Sequence, residues 1–333
     1  MDKTELEYAF ERIEHMEKLF DETQLMFNNN PSCVSEPSFQ KKISLLTQYM
    51  ESGTWLRDYG LDEKGLLPPE LKRGILSEDG LYNFICDVEN ASKRKTDILY
   101  RFFEKDEILF VVLWIIIYVI GFSTADGISE TIGIPKLITS IFGFILSAVI
   151  VLFAKKNGLL EYFGLCKTET KTKDFLFFIP LAIVSTASIW GGFSLDAAPL
   201  AAFFGVISMC FVGFLEEIIF RGMLFSGMAK NGIKSAVIVS SLTFGFGHII
   251  NLLMGAPVFE TMLQLIYASA AGFCYTAIFY RGKSIIPCII SHAVINSLSI
   301  FGAEVGAEGQ IIISAVQTAI NIGYGIWVLK KCR

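Results

Sequence analysis

Residues 199 to 230, PLAAFFGVISMCFVGFLEEIIFRGMLFSGMAK, carry no charge except Glu216, Glu217, Arg221 and a closing Lys230. A membrane-crossing helix needs about 20 mainly apolar residues, and this stretch is long enough to be one. Ionisable side chains inside such a helix are expensive and by default mark function. Glu217 and Arg221 stand four apart in the favourable order, so they face each other across one helical turn. Pairing neutralises both in a medium where an unpaired charge costs several kcal/mol. Glu216, about 100° further round the helix, is left free for chemistry.

The rest of the chain agrees with a membrane setting. It has 333 residues, 53% of them hydrophobic, with a mean hydropathy of +0.52, which is too apolar for a soluble protein of this size. Most of its charge lies before Asp106. The pattern predicts an all-α protein: a small helical soluble domain over 1–105, then a polytopic membrane helix bundle over 106–333. About eight transmembrane helices are expected, at 107–125, 134–154, 174–194, 199–228, 234–253, 258–280, 284–302 and 310–329. Lys93, Arg94, Lys95, Lys155, Lys156, Lys230, Lys234, Arg281, Lys283, Lys330, Lys331 and Arg333 fall on one side of these spans. Asp126, Glu130, Asp196, Glu304 and Glu308 fall on the other, with Lys136 as the clear positive charge there. By the positive-inside rule both termini are cytoplasmic, in a multi-pass protein of the plasma membrane. The segment KKNGLLEYFGLCKTETKTK, residues 155 to 173, suits the lipid interface. The acidic N-terminus is not a cleavable signal, so the first span directs insertion.

Composition also excludes some partners. A net charge of −5 without a concentrated basic face argues against nucleic-acid binding. The seven cysteines are scattered with no metal-ligand spacing, as expected of thiols in a reducing compartment. The lipid bilayer is the partner that composition does imply.

Depth brings the polar residues of the spans together. Counting from Lys234 at 1.5 Å per residue, His248 lies about 21 Å along its helix, and from Lys283, His292 lies about 14 Å along its own. If the helix from Pro199 runs on to Lys230, Glu216 is about 21 Å deep and Arg221 about 14 Å. The long helix is therefore preferred, since it places every costly group in one layer. His292 and Asn296 share a face one turn apart, and Gly245 and Gly247 before His248 allow close helix approach. Asn251 and Gln264 are weaker polar candidates.

A carboxylate and two histidines in a low-dielectric, water-accessible cavity suit amide hydrolysis of a peptide or membrane-protein substrate. Glu216 takes a proton from water, assisted by His248 directly or through a metal. His292 and Asn296 donate to the developing oxyanion. Taken singly, a membrane histidine or asparagine more often ties helices together; their occurrence at one depth favours catalysis. Buried Glu, His and Arg also occur in transporters and proton relays, but these residues do not line a route and no inverted repeat is visible. A non-catalytic immunity or scaffold protein of the same fold is the other alternative.

EEIIFR (216–221), FGFGH (244–248) and HAVIN (292–296) resemble, in order and separation, the EExxxR, FxxxH and HxxxN motifs of the CAAX prenyl protease and bacteriocin-processing (CPBP or Abi) intramembrane proteases. The resemblance covers about 170 to 330. It implies a membrane-embedded peptidase in which Glu216 is the catalytic glutamate, His248 and His292 are the essential histidines and Asn296 is the oxyanion partner. It also leaves open a zinc ion held by Glu216, His248 and His292 with water in the fourth position, beside a metal-free acid and base set.

In the soluble part, Leu6, Phe10, Ile13, Met16, Leu19, Phe20 and Met26 recur at helical spacing, and a second helix is expected over Ser38 to Met50. The helix pair, a tryptophan and LKRGILSEDGLYN (71–83) resemble a small uncharacterised bacterial domain. Trp55, Arg57, Asp58, Lys72, Arg73, Glu78 and Asp79 are candidates for a polar recognition site for a partner that sequence does not identify. A mini-domain with a merely solvated, charged surface is the plainer alternative.

Overall fold

The computed structural model describes residues 3–77, 79–168 and 170–331. Glu78, Cys332 and Arg333, and the side chains of Lys93, Arg94 and Lys95, lie outside the described residues. No strand forms among the described residues, and one isolated backbone bridge joins Phe193 to Gly302. The chain divides into two compact units, Met1–Glu104 and Lys105–Arg333.

The first unit contains α1 (Lys3–Asn29), α2 (Pro37–Glu51), α3 (Thr54–Glu63) and α4 (Gly80–Thr96), with α5 (Ile98–Lys105) at its end. Pro31 stops α1, because the residue before a proline is pushed out of the helical region. Asn30 is extended there and its side chain accepts from Ser32 N at 3.1 Å, starting a short 3-10 turn. The apolar faces of α1, α2 and α4 enclose one core that includes Ile13, Phe20, Phe39, Leu46, Leu81 and Phe84. Two carboxylates are buried in it and both are partnered. Asp58 accepts from Arg12 Nε at 2.9 Å and from Tyr49 OH at 2.7 Å. Glu17 accepts from Ile75 N at 2.6 Å. Burial, and then the bond to Asp58, hold the Tyr49 phenol above its ordinary pKa.

These partnerships remove Asp58 from the expected recognition set. Asp58 is fully buried and serves the core. Trp55 donates to Ile75 O at 2.8 Å and stacks on Tyr59. Lys72 bonds Asp21, Arg73 bonds Asp62, and Arg57 bonds Thr54. Trp55, Arg57, Asp58, Lys72 and Arg73 thus each have a local partner, while Glu78 lies outside the described residues.

Among the described residues the second unit has seven helices long and apolar enough to cross a membrane: α6 (Glu107–Ile132), α7 (Leu137–Lys156), α8 (Thr172–Ile189), α9 (Pro199–Ala229), α10 (Ile233–Leu253), α11 (Val258–Gly282) and, last in the chain, α13 (Ala307–Lys331). The eighth expected span, 284–302, is the shorter α12 (Ile286–Phe301). Lys283 in the left-handed region bounds it on one side; on the other a 3-10 turn ends at the extended Gly302. The expected continuous span 174–194 is also corrected. Leu176, Phe177 and Phe178 take left-handed φ values of 51°, 51° and 57°, which L-residues adopt at a cost, so α8 is broken there. The turn seats Phe175, fully buried, against the ring of Phe178 at 5.0 Å.

α9 is unbroken to Ala229, and the section Ile218–Phe225 is π-helical. Such widened turns are rare and gather at functional sites. Ser240 Oγ of α10 donates to the Phe220 carbonyl inside the widened turn at 2.8 Å. Three glycines let neighbouring helices close around this section. A Cβ on Gly213 would stand 2.6 Å from Ala293 N of α12, and one on Gly245 would stand 2.9 Å from the Leu265 carbonyl of α11. On Gly272 it would meet the Arg221 guanidinium at 3.2 Å. Gly247, expected to act like Gly245, faces nothing within 4 Å. At the lysine-bearing end, Tyr162 OH donates to Glu107 at 2.7 Å and Lys230 pairs with the same carboxylate. Tyr162 thereby ties segment 157–171 to the ends of α6 and α9. Burial, and then Glu107, raise the Tyr162 pKa.

Candidate active site

The π-helical turn begins directly after Glu217, so the diglutamate sits where α9 changes its pitch. Arg221 and Glu217 are both fully buried, and Arg221 Nη1 donates to Glu217 Oε1 at 3.0 Å. The guanidinium also lies 4.1 Å from the Phe244 ring centre and 5.4 Å from that of Tyr275. Desolvation is thus offset by one ion pair and two aromatic faces.

Gly213 brings α12 against α9 one turn before the diglutamate, and the contact delivers His292. Its Nδ1 lies 2.8 Å from Glu217 Oε1, while its Nε2 lies 3.5 Å from Glu216 Oε2. A carboxylate oxygen can only accept from Nδ1–H, so Glu217 orients the ring as well as holding Arg221. Sequence reasoning gave Glu217 only the arginine. The link to His292 depends on the distance between two helices, for which the spacing of motifs carries no signal.

Glu216 is 13% exposed at its side chain. Its Oε1 accepts from Tyr118 OH of α6 at 2.6 Å. Tyr118 was missed entirely: a lone tyrosine in LFVVLWIIIYVIGF reads as core or interface. His248 closes the main body of α10 as its C-cap residue. Its Nδ1 is 3.1 Å from the Phe244 carbonyl, which can only accept. Nδ1 is therefore the donor in that contact, and in the neutral ring Nε2 is the acceptor. The rings of His248 and His292 stand edge-on to Phe244, with centres 5.4 Å and 5.5 Å away.

Two cavities meet at this cluster. One, of about 180 Å³, is lined by His248, His292 and Asn296 with Gln264, Gln317 and Asn321. The other, of about 420 Å³, is lined by Glu216, Tyr118, His248 and Asn251 among apolar side chains including Ile115, Val119, Phe122 and Phe246. They share Phe244 and His248. Asn251 Nδ2 donates to Gln264 Oε1 at 2.8 Å, so these weaker candidates bridge the two linings. All four proposed catalytic side chains thus border one or other of two adjacent cavities, with His248 lining both. Zinc ligation is a different matter. Among the described residues no group of three or more His, Cys, Asp or Glu is already gathered as a metal site. With Nδ1 held by Glu217, His292 keeps Nε2 open toward Glu216, and no step below runs through a metal.

No curated protein and no solved structure matches the chain. Residues 198–298, which hold all three motifs, match the family of type II CAAX prenyl endopeptidase Rce1-like proteins. Residues 13–104 match a family whose function is unknown, DUF4298. The chain therefore carries an Rce1-like domain inside its membrane bundle and a DUF4298 domain ahead of it.

Proposed function

We propose that this chain is an intramembrane endopeptidase of the CAAX-protease type, with Glu216 as the base that activates water. The observation that carries this reading is the position of Glu216. It borders a cavity, is anchored through one oxygen by Tyr118, and turns the other toward His292.

A water between Glu216 Oε2 and His248 Nε2 meets two acceptors, which aim its lone pairs at a substrate carbonyl. Attack passes a proton to Glu216 and makes a tetrahedral oxyanion. Asn296 donates to that oxyanion from its amide. His292 donates from Nε2–H while Glu217 accepts from Nδ1–H and balances the charge on the ring. Glu216 then gives its proton to the leaving amine, the C–N bond breaks, and a carboxylate and an amine result. Donors aimed at developing charge in a low-dielectric site are each worth about 2.7–4 kcal/mol of barrier. The substrate is a peptide or membrane protein. The distribution of basic residues supports a plasma-membrane protein with cytoplasmic termini.

Purified protein in detergent is incubated with a peptide library, with Glu216→Ala and His248→Ala in parallel. Wild type alone should yield products; equal product from all three would end this assignment. Protein shown to be metal-free should keep its activity. Stoichiometric zinc lost together with activity in His248→Ala or His292→Ala would replace the metal-free step.

A further inference from the structure

The 180 Å³ cavity is more polar than hydrolysis requires. Beyond the histidines and Asn296 its wall carries three carboxamides, Gln264 of α11 and Gln317 and Asn321 of α13. Gln317 and Asn321 are 6% and 4% exposed, and Asn321 Oδ1 is buried without a hydrogen-bond partner. An unmatched buried acceptor costs about 1–3 kcal/mol, and in a membrane helix a wall of such groups marks a place for a polar occupant. α13 lies outside the matched residues 198–298, so the family match does not account for Gln317 and Asn321.

A second cavity adjoins it. Ser188, Tyr267 and Gln317 line both it and a neighbouring cavity of about 240 Å³. That second space is edged by Glu260 and Gln310, at the ends of α11 and α13 opposite Arg281 and Lys330. Gln310 Nε2 lies 3.4 Å from Glu260 Oε1 across the rim. Polar groups thus run from the catalytic histidines to one end of the bundle, whereas the Glu216 cavity is walled mainly by apolar side chains.

The geometry points to a peptide-binding arm: Gln264, Gln317 and Asn321 hold the main chain of a polar substrate flank that lies between His292 and the Glu260 rim. A carboxamide offers both a donor and an acceptor, the complement of a peptide group. This rests on the endopeptidase reading and adds to it a preference for substrates in which a polar, extended segment adjoins the scissile bond.

Two probes test it on the full-length chain. One is a peptide with a leucine and valine block followed by a Ser-Asn-Gln flank; the other has the flank replaced by leucine. Wild type should favour the flanked peptide in kcat/KM. Gln317→Leu with Asn321→Leu should cut that preference about tenfold, through KM, and an unchanged preference overturns the arm. In a second measurement Gln317→Cys, in a Glu216→Ala background, is treated with a charged, water-borne thiol reagent. Reaction above the Glu216→Ala background, slowed by the flanked peptide, is expected. An inert thiol, or one the peptide does not protect, overturns the proposal even where cleavage fails. Cleavage absent from wild type, with labelling and protection intact, ends the endopeptidase reading and keeps the binding arm.

Discussion

The chemistry of the candidate site comes down to which oxygen of which glutamate is already occupied. Glu217 Oε1 serves Arg221 and His292, and Glu216 Oε1 serves Tyr118, which leaves Glu216 Oε2 toward the space where water would act. Hydrogen bonds to charged groups contribute about 1.5–3 kcal/mol, so Tyr118→Phe should lower kcat by about 10- to 100-fold. KM should change little, and the acidic limb of the kcat profile should move, which a purely packing role would not produce. Arg221→Met should be harsher, because it leaves Glu217 buried without its cation. Breaking such a pair costs about 3–5 kcal/mol, and thermal unfolding in detergent should show it, with Glu217→Gln in the same chain restoring part of the loss.

At the scale of elements, Gly213 decides whether α12 reaches the site. Gly213 sits against the backbone of α12, not against a movable side chain. Gly213→Val should therefore force α9 and α12 apart, withdraw His292 from Glu217, and abolish cleavage in protein that still inserts. Gly247→Ala, with open space at its Cβ position, is the matched control and should be nearly silent. The long α9 was readable from apolar length, and so was the Glu217 to Arg221 spacing. Its π turn was not, because widening depends on which neighbour satisfies a displaced carbonyl, here Ser240. The break in α8 escaped for a similar reason: the hydropathy of KDFLFFIPLAIV is continuous, and the seating of Phe175 decides its backbone.

For the whole molecule, the two units obey different solvents. The N-terminal unit buries charge and keeps it by pairing, which gives a measurable pH dependence. Tyr49 stays protonated in the fold past the pH where the unfolded chain ionises, near 10. Above that pH the unfolded state binds fewer protons, so stability falls with rising pH by about 1.4 kcal/mol per unit. Urea titration of a 1–104 fragment by circular dichroism should show a steeper alkaline loss for wild type than for Tyr49→Phe; parallel losses would refute the role of Tyr49. In the membrane unit an unpaired buried charge is costly, and its few ionisable residues gather accordingly.

Helix type, the number of long apolar segments to within one, the two-part division of composition and the three motifs could all be read along the chain. Each depends on interactions local in sequence: apolar length against bilayer thickness, and i to i+4 spacing on one helix. Which side chains of different helices touch could not be read that way. Tyr118 at Glu216, Glu217 at His292, and the carboxamide wall from Gln264 to Asn321 join residues tens to almost one hundred positions apart. Such contacts depend on how closely helix backbones approach, as Gly213 lets α9 and α12 do, a packing quantity that no pattern in a single strand of letters encodes.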